Sequence, residues 1–333
     1  MTSEKTPPAL GGISEIIPIV LPMIVSQACE TVMIFTDRLF LSRLGPEYMS
    51  AAMAGGLSSF MVMTFFIGLI GYVTALAAQY LGSGQKDRCA VVLSQAVVIA
   101  LAATPLVLAV RPLVHGLFGV MNLPPNQLPL QRTYFDILLL GTPMVLVRTG
   151  LAGFFSGMGR TRIVMLSSLT AMTVNVIANY CLIFGHLGFP EMGLRGAACG
   201  TLIGSSCGLF ILLVGYFRKS NRAEFSVSSS LRFDREVIGK LIRYGTPSGL
   251  EMFLNLLAFN LIILIFHSHS VITATAITIV FNWDMVSFVP LLGIQVGVIS
   301  LVGRYMGNGR PDIAQRVANS ALKIAWSYSG VIL

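Results

Sequence analysis

The chain has 333 residues, of which 55% are hydrophobic and 11% charged, and its mean hydropathy is +0.80. A soluble domain is about 25% charged, so this chain has too little charge to clothe a water-facing surface, and lipid must be the solvent for much of it. The net charge of +8 is distributed by topology, as shown below, and the five cysteines have neither CxxC nor Cys/His metal spacing, so no disulfide framework or zinc site is indicated.

In chain order, eight apolar stretches are predicted to span a bilayer, which takes about 20 apolar residues each. They cover 13–41, 51–81, 90–120, 134–155, 163–187, 196–217, 246–266 and 272–302. A ninth begins near Ala314 and is still running at Leu333. Helices are expected, because lipid offers no partners for open strand edges. The first stretch is too long for a signal h-region and carries Glu30 and Asp37, so it reads as a retained helix. Between the sixth and seventh lies the most polar part of the chain, 218–244. It contains SVSSS and then DREVIGKLIRYG, with Val237, Ile238, Leu241 and Ile242 at helical spacing. It reads as a cytoplasmic linker ending in a short amphipathic surface helix. The linker divides a first six-helix membrane bundle, 1–217, from a second, 245–333.

With the N-terminus placed in the cytoplasm, fifteen Lys and Arg fall on inside segments and five on outside ends. That bias sets the orientation and accounts for the positive charge without a nucleic-acid partner. The location expected is the plasma (inner) membrane.

The chain also repeats itself. Shifted by 225 residues, YLGSGQKDRCAVVLSQAVVIA (80–100) falls without a gap on YMGNGRPDIAQRVANSALKIA (305–325), with eight of 21 positions identical. The same shift pairs Pro22 with Pro247 and Gly68 with Gly293. Six spans separate the copies, so both enter the membrane in the same orientation, as in transporters built from parallel halves with the substrate between them. One full second copy needs three more helices; the expectation is an all-α polytopic membrane protein of two pseudo-symmetric six-helix bundles, the second incomplete.

Several stretches in order resemble the multidrug and toxic compound extrusion family. Pro22 precedes TDRLFLSRLG (36–45), RTGLAGFFSGMGRTR (148–162) resembles the family's helix 4–5 junction, and NVIANYCLIFGHLGFPEMGLRGAACGT (175–201) is similar to its most recognisable block. The resemblance runs from about Ile16 to the end. It implies an antiporter exporting organic, often cationic, compounds in exchange for H+ or Na+, with Asp37 at the family's coupling acid. The chain departs from the family in three places. Asn179 and Asn255 stand where members often have an acid, and Asp284 where many are uncharged.

An ionisable group inside a membrane helix is a functional candidate by default, since insertion costs roughly 2.5–3.5 kcal/mol. Here these are Glu30, Asp37, Asp136, Arg148, Glu251 and Asp284. Glu30 and Asp37 are seven residues apart and share a helix face, as do Asn175 and Asn179, which add oxygens without charge. These four form the expected ion-coupling site, Asp37 foremost, although Asp37 can equally bond a helix end and Glu30 can pair with Arg148. Glu251, Asn255 and Asp284 are the expected substrate-binding groups, since acids in the cleft attract a cation; a structural hydrogen bond between helices is the alternative. Pro22 and Pro247 are the expected hinge pair, with a static kink the alternative. Gly82/Gly84 and Gly307/Gly309 lack the P-loop context and read as tight turns.

The expected function is therefore a secondary active antiporter, a monomer working on a small organic molecule, with no enzyme chemistry, metal or cofactor beyond the ion gradient. The alternatives are a flippase for a lipid-linked substrate, whose cleft would need cations for pyrophosphate, and a membrane scaffold without transport.

Overall fold

The computed structural model describes residues 10–120, 124, 126–227, 230–269 and 271–332, and the side chains of 263–269, 271–279 and 281–286 lie outside the description. Thirteen α-helices are present among the described residues. In order they are α1 (Ile13–Ser42), α2 (Pro46–Gly71), α3 (Val73–Gly82), α4 (Lys86–Ala109), α5 (Arg111–Val120), α6 (Gln127–Leu140), α7 (Thr142–Gly157), α8 (Thr161–Phe184), α9 (Leu194–Phe217), α10 (Lys219–Glu224), α11 (Arg235–His269), α12 (Val271–Gly307) and α13 (Pro311–Ile332). Among the described residues, six stretches are long and apolar enough to cross a bilayer, and the pair α6–α7, bent by 47° at Gly141, makes a seventh. The chain is an all-α polytopic membrane protein. The expected spans agree with these helices in position, and α11 and α13 cover the expected seventh and ninth.

The polar segment 218–244 differs from its expected form. Its amphipathic stretch is not a separate surface helix; it is the first part of α11, which runs unbroken for 35 residues. At about 1.5 Å per residue such a helix is some 50 Å long, well beyond the roughly 30 Å of a hydrocarbon core, so one end must stand in water. Asp234 caps that end, its Oδ1 accepting from the amides of Glu236 (3.0 Å) and Val237 (3.1 Å). Val237 and Leu241 are fully buried, in one apolar cluster with residues of α2, α3, α4, α7 and α9. The segment before it is strapped to α4: Ser94 Oγ donates to the carbonyl of Ser230 (2.6 Å) and Gln95 Nε2 to that of Arg232 (2.8 Å).

α1 packs between α8 on one side and α12 on the other, while α2 and α3 pack against α11 and α12. The two sequence repeats therefore meet each other directly, and they do so reciprocally. A Cβ at Gly82 would lie 1.9 Å from the carbonyl oxygen of Arg304, and one at Gly307 would lie 2.0 Å from that of Gln79. Gln79 and Arg304 are themselves 225 residues apart. Likewise Tyr305 Oη donates to Glu15 Oε1 (2.7 Å), and Lys240 Nζ donates to Tyr80 Oη (3.2 Å). Tyr80 and Tyr305 are one repeat pair and Glu15 and Lys240 another. Each half thus uses the same positions to hold the other, as a two-fold axis along the membrane normal requires.

The repeated Y-x-G-x-G ends a helix in both copies. Gly84 and Gly309 adopt φ of +77° and +68°, which a side chain disfavours. The amides of Gln85 and Arg310 close back onto the carbonyls of Tyr80 and Tyr305, both at 2.9 Å. Gly159, at φ +70°, closes α7 the same way, with Arg160 N on Phe155 O at 2.8 Å.

Candidate ion-coupling site

Helices α8 and α9 approach closely because α9 presents a stripe of glycines at Gly196, Gly200, Gly204 and Gly208. A Cβ at Gly200 would lie 2.1 Å from Asn179 Oδ1, and one at Gly204 would lie 2.8 Å from Asn175 Cβ. Small residues at this spacing let membrane helices pack backbone to backbone, where van der Waals contact and interhelical hydrogen bonds supply the attraction. The result is a polar cluster sealed inside the first half. Asn175 and Asn179 are both fully buried and Asp37 is 9% exposed.

Asn179 Nδ2 donates to Asp37 Oδ1, and also to Asn175 Oδ1 at 3.3 Å. Thr201 Oγ1, from α9, lies 3.3 Å from Asp37 Oδ2, and Asn175 Nδ2 donates to Thr201 at 3.4 Å. Every hydrogen-bond partner of the carboxylate is neutral, and no cation stands within ion-pair distance of it among the described residues. Asn179 Oδ1 is buried without a hydrogen-bond partner. The cluster therefore gathers several oxygens around one carboxylate and leaves an acceptor unused, the donor set that a hard cation or a proton takes.

The structure brings together Asp37, Asn175 and Asn179 and separates Glu30 from them. Two turns away on α1, Glu30 Oε1 accepts from Arg148 Nη2 on α7 at 2.6 Å. Arg148 also lies 3.3 Å from Ser168 Oγ, which shares a 2.7 Å bond with Ser26. Asp136 on α6 is held by Arg111 (2.6 and 2.8 Å) and His115 (2.9 Å) of α5, a fully occupied cluster. Glu251 and Asn255 are exposed on α11, a different helix from α1, α8 and α9 around Asp37, and the side chain of Asp284 lies outside the described residues. Pro22 is buried inside unbroken α1, and Pro247 is exposed inside unbroken α11. Sequence reasoning did not assign Thr201; its signal is a hydroxyl one residue after Gly200, at the end of the 175–201 block.

Comparison with known proteins identifies the family and the fold. The MatE family model matches residues 22–181 and 247–333. The multidrug resistance protein PmpM of Pseudomonas aeruginosa is 28% identical over 328 residues, 96% of this chain and 67% of that protein. A probable multidrug resistance protein, NorM, of Shewanella oneidensis is 29% identical over 321 residues, covering 94% of this chain and 68% of its own length. A crystal structure of MATE in complex with MaL6 superposes with a TM-score of 0.87 at 21% identity, across 96% of this chain and 70% of that one. With the family model covering most of the chain and the same fold throughout, the chain belongs to the MATE family of multidrug efflux transporters.

Proposed function

We propose that this protein is a secondary active antiporter that exports small organic, cationic compounds in exchange for H+ or Na+ entering through the Asp37 cluster. It would act as a monomer in the plasma membrane, with the N-terminus in the cytoplasm. The observation that carries the reading is Asp37 itself, a buried carboxylate met by neutral donors from α8 and α9 and by no cation. A paired carboxylate is already satisfied, whereas an unpaired one in an apolar bundle gains from a proton or a cation. Loading that ion changes the charge between α1, α8 and α9. A shape that binds the ion better then becomes the more populated one, which is what coupling requires. Glu251, Asn255 and Asp284 on α11 and α12 remain the proposed substrate groups, and Pro22 and Pro247 the proposed hinges.

The test is substrate efflux from vesicles under an imposed pH or Na+ gradient. Asp37→Asn is expected to abolish gradient-driven export while the protein stays folded and inserted, with drug binding on the purified variant retained in part. Export at the unmodified rate would make the carboxylate structural and end this reading.

A further inference from the structure

A cavity of about 700 Å³ opens at the end of the molecule where α1 begins, between the turn joining α7 to α8 and the end of α9. One wall is apolar, with Ile19 and Phe155, and the other carries Arg160, Thr161, Arg162 and Arg218. The charges are unevenly matched. Arg160 is taken up by Asn221 and by Glu224 at 2.5 Å, and Glu224 also holds Lys86 at 3.1 Å. Arg162 and Arg218 are exposed, and their guanidiniums have no hydrogen-bond or ion-pair partner among the described residues. Arg304 reaches the same place from α12. Its Nη2 lies 2.5 Å from where a Cβ on Gly159, a lining residue, would sit, and its Nε is buried without a partner.

Two guanidiniums without a partner among the described residues thus line one cavity, and a third, that of Arg304, stands against its lining residue Gly159, beside the start of α8, whose first amides also favour an anion. Guanidinium forks match the oxygens of a phosphate better than any neutral ligand. The same helices carry exposed apolar side chains onward from the cavity: Ile17 and Leu21 on α1, and Leu166 on α8, at 48%, 57% and 52% exposure. A ligand with a phosphate at one end and hydrocarbon at the other fits both features.

We infer that this cavity binds the phosphate of an anionic phospholipid, with the head group among Arg162, Arg218 and Arg304 and the acyl chains along α1 and α8. The end in question is the one the charge bias places toward the cytoplasm, where the leaflet is anionic. The inference goes beyond the export reading, because the site shares no residue with the Asp37 cluster and either can fail alone.

The test uses the full chain, purified in detergent and stripped of lipid. Phosphatidylglycerol, phosphatidylcholine and, separately, inorganic phosphate are titrated, with binding read by native mass spectrometry. One phosphatidylglycerol is expected to bind at least about tenfold more tightly than phosphatidylcholine. Arg162→Ala with Arg218→Ala should weaken it about 25-fold, at about fivefold per arginine, and Arg162→Ala alone about fivefold. Removing two exposed charges away from the cavity, Arg235→Ala with Arg310→Ala, should leave it within about twofold. Binding of phosphatidylglycerol but not inorganic phosphate assigns the site to lipid. Binding of inorganic phosphate that is lost in the double variant assigns the phosphate site to a soluble anion. Equal affinity for the two lipids, or an unchanged affinity in the cavity variants, overturns the inference.

Discussion

Glu30 and Asp37 share one face of α1, yet their surroundings give them different work. Glu30 meets Arg148 at 2.6 Å, and Asp37 meets the amide of Asn179 and the hydroxyl of Thr201. Removing the Glu30 charge leaves Arg148 unpaired, and breaking a fully buried pair costs about 3–5 kcal/mol. Glu30 keeps 40% side-chain exposure, so the expected loss for Glu30→Gln is about 1–2 kcal/mol. It should appear as a fall of a few degrees in the Tm of the purified protein, with export reduced less than by Asp37→Asn. An unchanged Tm would show that the pair contributes nothing measurable. The candidate coupling residues Asp37, Glu30, Asn175 and Asn179 were all legible as polar groups in apolar sequence. That Glu30 pairs with Arg148, 118 positions away, depends on how α1 and α7 pack, which helical spacing within α1 does not encode.

At the level of the helix, glycines decide how closely elements approach. Gly82 and Gly307 each face a carbonyl oxygen of the opposite repeat at a distance no Cβ tolerates. Gly82→Ala and Gly307→Ala should each cost about 1–3 kcal/mol by overpacking. Gly116→Ala, a helical site with nothing within 4 Å, should instead be neutral or stabilising by up to about 1 kcal/mol. Thermal melts of the three variants separate these outcomes, and equal effects would mean that the crossing relaxes freely. α10 adds a pH dependence. Partial burial raises the Glu224 carboxyl, but hydrogen bonds from Arg160 and Lys86 outweigh it and hold the group below the ordinary carboxylate value. A carboxyl depressed by folding contributes stability at neutral pH and loses it as the pH falls through the folded value. The tie of α10 to α4 and to the turn before α8 should therefore loosen as the pH falls below the ordinary carboxylate range. A fluorophore at Ser220→Cys should report that loosening, and Glu224→Gln should show it already at pH 7.

Across the whole molecule, the repeat sets the contact between the halves. Tyr305 bonds Glu15 and Tyr80 bonds Lys240 at equivalent positions, while Ser300 Oγ donates to the carbonyl of Ser156 at 2.6 Å. These ties lie at the end of α1 opposite Asp37. Tyr305→Phe with Tyr80→Phe should raise the labelling rate of a cysteine placed at Ala78, now fully buried, by about tenfold or more, since each lost bond is worth about 1 kcal/mol. Labelling at the unmodified rate would mean that the glycine contacts alone keep the halves together.

The sequence by itself determined the solvent, the helices, the parallel repeat and the polar residues within the membrane. Those follow from composition and local spacing, because lipid penalises every exposed polar group and leaves the helix as the economical conformation. In sequence the polar segment 218–244 reads as a cytoplasmic linker ending in a short amphipathic surface helix. The segment is instead strapped to α4 and continues into α11, because Ser230, Val237 and Leu241 find buried partners that only the folded bundle offers. Tertiary structure alone decided that Asp37 is unpaired and Glu30 paired, that Thr201 joins the cluster, and that Arg304 reaches the cavity beside α8. Each of these depends on groups from helices distant in sequence, and a bonded partner is fixed by which helix faces meet.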